Sequence, residues 1–532
     1  MQSDLVLSNA RIHTLDARIP HATAVAIRDE RIVYVGDDAT ARQTLAPGGQ
    51  AVDLKGRCVI PGLTDAHLHF QWYAIGLQSV DAETPTLDEA LTRVAEHAER
   101  TPSDSWINGL GWNHNVWQLP TPDGFPTAAD LDRVSPEHPV ALNAKSGHAI
   151  WVNSRALQLA GITASTPDPA GGQIVRDKHG QPTGILLEGA IDLIDAAHPA
   201  PTAEEVAQAM RAAFPFAQRA GLTGVHCFDG PEALAAYQML RQRGELGLRV
   251  VKSIPRDTLR VDHTLALGLR SGFGDDWLRI GSIKMFADGA LGPQTAWMLE
   301  PFENSTSTGI VTLDEKEMAD NVRRANAAGL SCAIHAIGDR ACRTVLDVYE
   351  EVGSRSLRNR IEHVQLLHPQ DYDRLGKLGV IASMQPVHAT SDMLIADKYW
   401  GKRSAGAYAW RTQLDAGVAL AFGSDCPVEK IDPLQGIHAA VTRRRADGSP
   451  GLDGWYPEQR LTVEEAVRGF TAGAAYAAGM EDRLGSITAG KLADFTVLDR
   501  DIFEIEPMEI LNTQVDATII GGKFMWRAET LN

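Results

Sequence analysis

The chain alternates between two textures of apolar and polar positions. From residue 4 to about 57, apolar residues come in short runs. Leu5-Val6-Leu7 is followed by Ile12, then Val25-Ala26-Ile27 and Ile32-Val33-Tyr34-Val35, with no helical period of any length. Asp29-Glu30 between the last two runs predicts a hairpin turn. The carboxyl end has the same texture in Phe495-Thr496-Val497-Leu498 and Ala517-Thr518-Ile519-Ile520. Two β-rich ends around a different middle predict one composite β-sandwich, built from residues 1–58 and 480–532. The alternative is a pair of unrelated extensions.

The middle, residues 59–479, alternates strands with helices. Thr86-Leu87-Asp88-Glu89, Thr202-Ala203-Glu204-Glu205, Thr312-Leu313-Asp314-Glu315 and Thr462-Val463-Glu464-Glu465 have the capping-box form, and each opens an amphipathic run. From about residue 310 the rhythm of helix, glycine and apolar strand is regular. Gly329 precedes Leu330-Ser331-Cys332-Ala333-Ile334-His335, Gly379 precedes Val380-Ile381-Ala382-Ser383-Met384-Gln385, and Gly417 precedes Val418-Ala419-Leu420-Ala421-Phe422-Gly423-Ser424-Asp425. That is the sequence form of a parallel sheet with covering helices. Several strands end in a polar residue, which suits a (β/α)8 TIM-like barrel, where the carboxyl ends of strands carry the chemistry. A doubly wound sheet fits the rhythm too, but no glycine-rich fingerprint follows the first strand. Residues 71 to about 200 break the rhythm and hold Trp72, Trp106, Trp112, Trp117 and Trp151. They are read as an insertion, 71–220, after the first barrel strand and over the barrel mouth.

Six residues that end or interrupt apolar runs carry the candidate chemistry: His67, His69, Lys284, His335, His363 and Asp425. If Val59-Ile60-Pro61-Gly62-Leu63-Thr64-Asp65-Ala66-His67-Leu68-His69 is a strand, its alternation puts both histidines on one face. Two imidazoles so placed can hold a divalent metal; solvated turn histidines are the plainer reading. Lys284 lies in Ile280-Gly281-Ser282-Ile283-Lys284-Met285-Phe286, where an ammonium is costly to bury. It is either paired, for example with Asp288, or neutral, and a neutral amine can take up carbon dioxide as a carbamate that bridges two metals. His335 and His363 close successive apolar runs; a single such histidine would be read as a core residue. Asp425 precedes Cys426-Pro427, where a turn or N-cap aspartate is the ordinary expectation.

Composition narrows the partners. Lys plus Arg number 50 against 68 Asp plus Glu, a net charge of −18, which argues against nucleic acid or anionic membrane as a partner. No apolar run is long enough to span a bilayer, and Met1-Gln2-Ser3-Asp4 leads directly into a strand pattern, so no secretion signal is expected. Five scattered cysteines without a Cys-x-x-Cys pair point to free thiols and a cytoplasmic location.

With these residues in view the chain resembles the amidohydrolase superfamily, over essentially its whole length. The resemblance rests on Val59 to His69, on Lys284-Met285-Phe286-Ala287-Asp288-Gly289 and on His335-Ala336-Ile337-Gly338-Asp339. Arg360-Ile361-Glu362-His363, Gly423-Ser424-Asp425-Cys426-Pro427 and Gly490-Lys491-Leu492-Ala493-Asp494 extend it. These motifs, with His148-Ala149-Ile150-Trp151-Val152-Asn153-Ser154, are similar to the amidohydrolase 3 branch, which includes YtcJ-like proteins and N-substituted formamide deformylases. The resemblance implies one or two divalent ions, zinc foremost. His67 and His69 would hold the more buried ion, His335 and His363 the more exposed one, and carbamylated Lys284 would bridge them. Asp425 would coordinate and shuttle protons. Relatives of the D-aminoacylase type use a bridging cysteine instead, and Cys227 is the substitute candidate here. The implied reaction is hydrolysis of a non-peptide C–N bond (amide, N-acyl or N-formyl) in a small molecule. Rival readings are an aminohydrolase or cyclic imide hydrolase on the same core, and a metal-free scaffold. His148, Trp112 and Trp117 are the candidate substrate-binding residues, with the insertion's own core as the alternative place for the tryptophans. A homo-oligomer is left open.

Overall fold

A computed structural model describes residues 2–531 except 118, 122–123, 145–148, 170–171, 200, 257 and 293. His148 therefore lies outside the described residues. The chain forms two compact units, 1–71 with 210–532, and 72–209.

The first unit contains an eight-stranded parallel sheet in sequential order. Its strands are β1 (Leu63–Leu68), β2 (Leu222–Cys227), β3 (Arg249–Pro255), β4 (Leu278–Phe286), β5 (Cys332–Ala336), β6 (Arg360–His363), β7 (Ile381–Met384) and β8 (Leu420–Phe422). Backbone hydrogen bonds join the first strand to the segment that follows the last. The Asp425 N–H donates to the His67 carbonyl (2.7 Å), and the His69 N–H donates to the Cys426 carbonyl (2.8 Å). Gly423 makes that approach feasible, because a Cβ there would stand 2.5 Å from the His67 backbone nitrogen. This is the TIM-like barrel, and the seam brings Asp425 against the His-x-His motif.

The run expected as a single strand up to His69 is two strands. Cys58–Pro61 pairs with Arg11–His13 and Phe495–Leu498 in a six-stranded sheet, and after Gly62 the chain enters β1 of the barrel. At Gly62 the backbone passes so close to Thr223 that a Cβ would meet its Oγ1 at 2.4 Å, so glycine permits the crossing from one sheet to the other. The six-stranded sheet and a four-stranded sheet from the amino-terminal segment share one apolar core. Leu7, Ile12, Val25, Ile27, Val59, Phe495, Val497 and Ile519 are all buried in it. The two ends of the chain thus build a sandwich together.

Thr86, Thr202 and Thr462 accept the backbone N–H three residues on, as their tetrads predicted. Thr312 does not. Its hydroxyl donates to the Phe286 carbonyl at the end of β4 (2.7 Å), and Asp314 caps the helix Glu315–Ala327 instead, accepting from the Glu317 N–H. A nearby unpaired carbonyl outcompeted the local cap.

The second unit, in the stretch between β1 and β2, has its own six-stranded mixed sheet and its own apolar cores. Trp112 and Trp117 belong to one of these. Both are buried, and their indole N–H groups donate to the carbonyls of Leu142 (2.7 Å) and Thr84 (2.9 Å). Such placement corresponds to the core alternative rather than to a substrate pocket.

Candidate metal centre

The carboxyl ends of the barrel strands bring the six sequence-derived residues to one rim, with unequal closeness. His67 ends β1, buried and stacked on Phe228 with ring centroids 4.3 Å apart. Its Nδ1 lies 2.6 Å from Glu362 Oε2, and its Nε2 is 3.5 Å from Asp425 Oδ1. His69 follows the same logic, with Nδ1 3.7 Å from Asp229 Oδ1 and Nε2 3.6 Å from Asp425 Oδ1. At the end of β6, His363 Nδ1 is 2.8 Å from Gln385 Oε1, which directs its Nε2 away from that amide. In each ring Nδ1 faces an oxygen acceptor, the arrangement by which a supporting group fixes the tautomer of a metal-ligating histidine.

His67, His69 and Asp425 form one group with ligand atoms within 4.8 Å of one another, and His363, His388 and Asp425 form a second. His335 joins neither. Its Nε2 is 2.8 Å from the Gly289 carbonyl, although its ring centroid lies 4.4 Å from that of His363. His388, in the first turn of the helix Pro386–Trp400, escaped sequence reasoning because it stands four residues past the end of β7. The signal available was Met384-Gln385-Pro386-Val387-His388 directly after an apolar strand. Its Nε2 is 3.3 Å from Asp425 Oδ2 and its Nδ1 3.4 Å from Glu429 Oε1. Glu362 and Arg360, also missed, were visible as charges in the buried strand β6. They form a buried ion pair, and Arg360 Nη2 also donates to the Ala66 carbonyl (2.7 Å).

Lys284 lies on β4, buried, between the rings of Phe228 and Phe286 with Nζ 4.8 Å from each centroid. Among the described residues Nζ has no hydrogen-bond partner. The pairing with Asp288 is absent because the Asp288 carboxylate accepts the N–H groups of Trp297 (2.9 Å), Ile337 (3.0 Å) and Gly338 (2.8 Å). Burial pushes the Lys284 ammonium down to about 8, against the pull of Glu362 and Asp425. Cys227 is not free to replace it: its thiol donates to Asp229 Oδ2 (3.0 Å), and burial raises it to about 12.

Burial, with the Lys284 charge nearby, holds His67 well below the ordinary imidazole range, and burial lowers His335 to about 4. Both are neutral at physiological pH, as metal ligation requires. Burial alone would raise Asp425, yet the hydrogen bond from His388 holds it well below the carboxylate range. Burial opposes the His388 cation, and the Asp425 and Glu429 hydrogen bonds overcome it, raising His388 to about 10. Asp425 and His363 also have left-handed backbones, with φ of 61° and 74°. Such conformations cost about 1–3 kcal/mol each and cluster at functional sites.

A parallel barrel with histidines, one aspartate and a buried lysine gathered at its carboxyl rim defines a metal-dependent barrel hydrolase. The chain belongs to the amidohydrolase family, whose model matches residues 50–525, and it acts on carbon–nitrogen bonds. The YtcJ protein of Bacillus subtilis, which carries the name amidohydrolase, is 34% identical, covering 97% of this chain and 98% of that one. An N-substituted formamide deformylase of Arthrobacter pascens is 32% identical over 98% of this chain and 97% of its own. An uncharacterized metal-dependent hydrolase from Pyrococcus furiosus has the same fold. Its TM-score is 0.80 at 29% identity, covering 94% of this chain and all of that one.

Proposed function

We propose that this rim hydrolyses a non-peptide C–N bond, in an amide, N-acyl or N-formyl compound of small size. One observation carries the reading: the Nε2 atoms of His67 and His69 stand 3.5 and 3.6 Å from the same Oδ1 of Asp425. Tetrahedral N/O coordination at about 2.0–2.2 Å spaces neighbouring donors about 3.3–3.6 Å apart, so this donor set fits a divalent ion. Zinc suits imidazole and carboxylate donors. We infer one or two ions, with His67, His69 and Asp425 holding one, and His363 with His335 the other. The orphaned Nζ of Lys284 fits a second ligand role. Near neutral pH a fraction of this amine is uncharged, and the amine adds carbon dioxide. An N–C bond forms, a proton leaves to solvent, and the lysine becomes a carboxylate suited to bridging two cations.

A bound divalent ion supplies a Lewis acid that makes water nucleophilic near neutral pH and polarises a carbonyl. Asp425, kept ionised by the hydrogen bond from His388, takes the proton of the attacking water. It returns that proton to the leaving nitrogen, which otherwise departs as a poor anion. His388 donates to the same carboxylate and holds its orientation. Glu362, itself fixed by Arg360, keeps His67 in the tautomer protonated at Nδ1. The deformylase relative supports an N-formyl or N-acyl substrate.

Metal analysis of the purified protein and a panel of N-formyl and N-acyl amines, set against cyclic imides and ring amines, test the proposal. Turnover confined to ring amines or cyclic imides would move the same residues to aminohydrolase chemistry. Protein that neither binds zinc on addition nor turns over any of the panel would sink the hydrolase reading in favour of a scaffold.

A further inference from the structure

At the opposite, amino-terminal end of the barrel strands lies a cavity of about 350 Å³. This is within the size range of small-molecule sites, roughly 300–1,000 Å³. Its lining carries four arginines, Arg279, Arg355, Arg358 and Arg360, and no carboxylate. In a chain with 18 more acidic than basic residues, such a concentration of guanidinium groups runs against the overall charge. Two of the four have carboxylate partners outside the lining, Arg358 with Glu481 and Arg360 with Glu362. The other two have none among the described residues. Arg279, half-buried at the start of β4, uses Nε and Nη2 on the Gly272 carbonyl (3.2 and 3.0 Å). Arg355 stands exposed at the cavity's edge. Burial and the nearby Arg483 lower Arg279 below the ordinary guanidinium range, against the pull of Asp276 and Asp275.

The cavity wall supplies neutral donors as well. His226 is buried, and burial lowers it to about 3, so it is uncharged. Arg360 Nη1 donates to its Nδ1 (3.1 Å), which puts the ring proton on Nε2. Ser253 accepts the Ser282 N–H (3.3 Å), and its own hydroxyl proton has no acceptor among the described residues. Ser282, Ser331 and Ser271 form a hydroxyl relay, Oγ to Oγ at 2.8 and 3.0 Å, in which Ser271 donates to the Gly281 carbonyl (2.6 Å). Guanidinium forks with hydroxyl and imidazole donors, and no carboxylate, are the chemistry of oxyanion recognition.

We propose that this cavity is a second ligand site, separate from the metal centre, that binds a phosphoryl group through Arg279 and Arg355. The ligand is free phosphate or the terminal phosphate of a small monoester. Arg279 sits on the strand that carries Lys284, and the floor residue Arg360 holds Glu362, so an occupant lies directly beneath the rim.

The test is isothermal titration and thermal shift of the full-length protein with orthophosphate and with phenyl phosphate, at ionic strength matched with chloride. Saturable binding is expected, weakened at least about tenfold in Arg355→Gln and further in Arg279→Gln, since each removes a charged hydrogen-bonding partner of the anion. Tighter orthophosphate than ester identifies the free ion as the source; the reverse identifies a monoester. The exposed Arg355 variant keeps the test decisive if Arg279→Gln fails to fold. No saturable binding by wild type, or equal binding by wild type and Arg355→Gln, would overturn the proposal. Neither result bears on the metal centre, whose metal content and turnover are read separately.

Discussion

Asp425 is the residue at which a change of one atom type separates binding from chemistry. Asparagine keeps the shape and one coordinating oxygen but cannot hold a proton between water and leaving nitrogen. Asp425→Asn is expected to retain most of its metal by elemental analysis and to lose turnover by about 10²–10⁴-fold. Unchanged kcat would remove it from the mechanism. Lys284 gives a second contrast. Lys284→Ala should lose activity and regain part of it with acetate or propionate, if a carboxylate at that position is what the site needs. His388, Glu362 and Arg360 were not among the residues picked from sequence, for different reasons. The first lies on a helix rather than at a strand end, and the other two resemble an isolated salt bridge until Glu362 is seen at 2.6 Å from His67 Nδ1.

Elements show where local pattern and tertiary contact agree and where they compete. The Thr462 box has both reciprocal hydrogen bonds. Thr462→Ala should cost about 1 kcal/mol in urea unfolding and leave turnover unchanged. The Thr312 tetrad has the same letters and a different fate, because the end of β4 offers its hydroxyl a carbonyl. Trp112 makes a parallel case in the second unit. As a core residue, Trp112→Ala should destabilise by about 3–5 kcal/mol, read by thermal or urea unfolding. A raised KM with unchanged stability would instead restore it to a substrate pocket. Helix and strand rhythm was legible wherever glycine and a capping residue bounded an apolar run. The split at Gly62 was not, since only the approach of Thr223 reveals it.

At the scale of the molecule, the candidate metal centre is assembled from both ends of the barrel sequence. Residues 67 and 425 meet through the hydrogen bonds that join β1 to the segment after β8. Dialysis against a chelator should therefore abolish turnover and lower Tm, because a ligand bound only by the folded state stabilises it. Added zinc should restore both. Among the described residues no helix is long and apolar enough to cross a membrane, and all five cysteines are free and buried.

The amino-acid sequence alone determined the alternation of strand and helix, the β-rich ends, and the residue types from which a metal site is made. Those depend on periodicity and on the cost of placing charges within apolar runs, both local properties. Tertiary structure decided which of those residues meet. It put His388 rather than His335 within hydrogen-bonding distance of Asp425, took Asp288 away from Lys284, and buried the two tryptophans. It also gathered arginines from separate strands around one cavity. Such outcomes turn on distances between segments far apart in the chain, and no pattern within a single segment contains them.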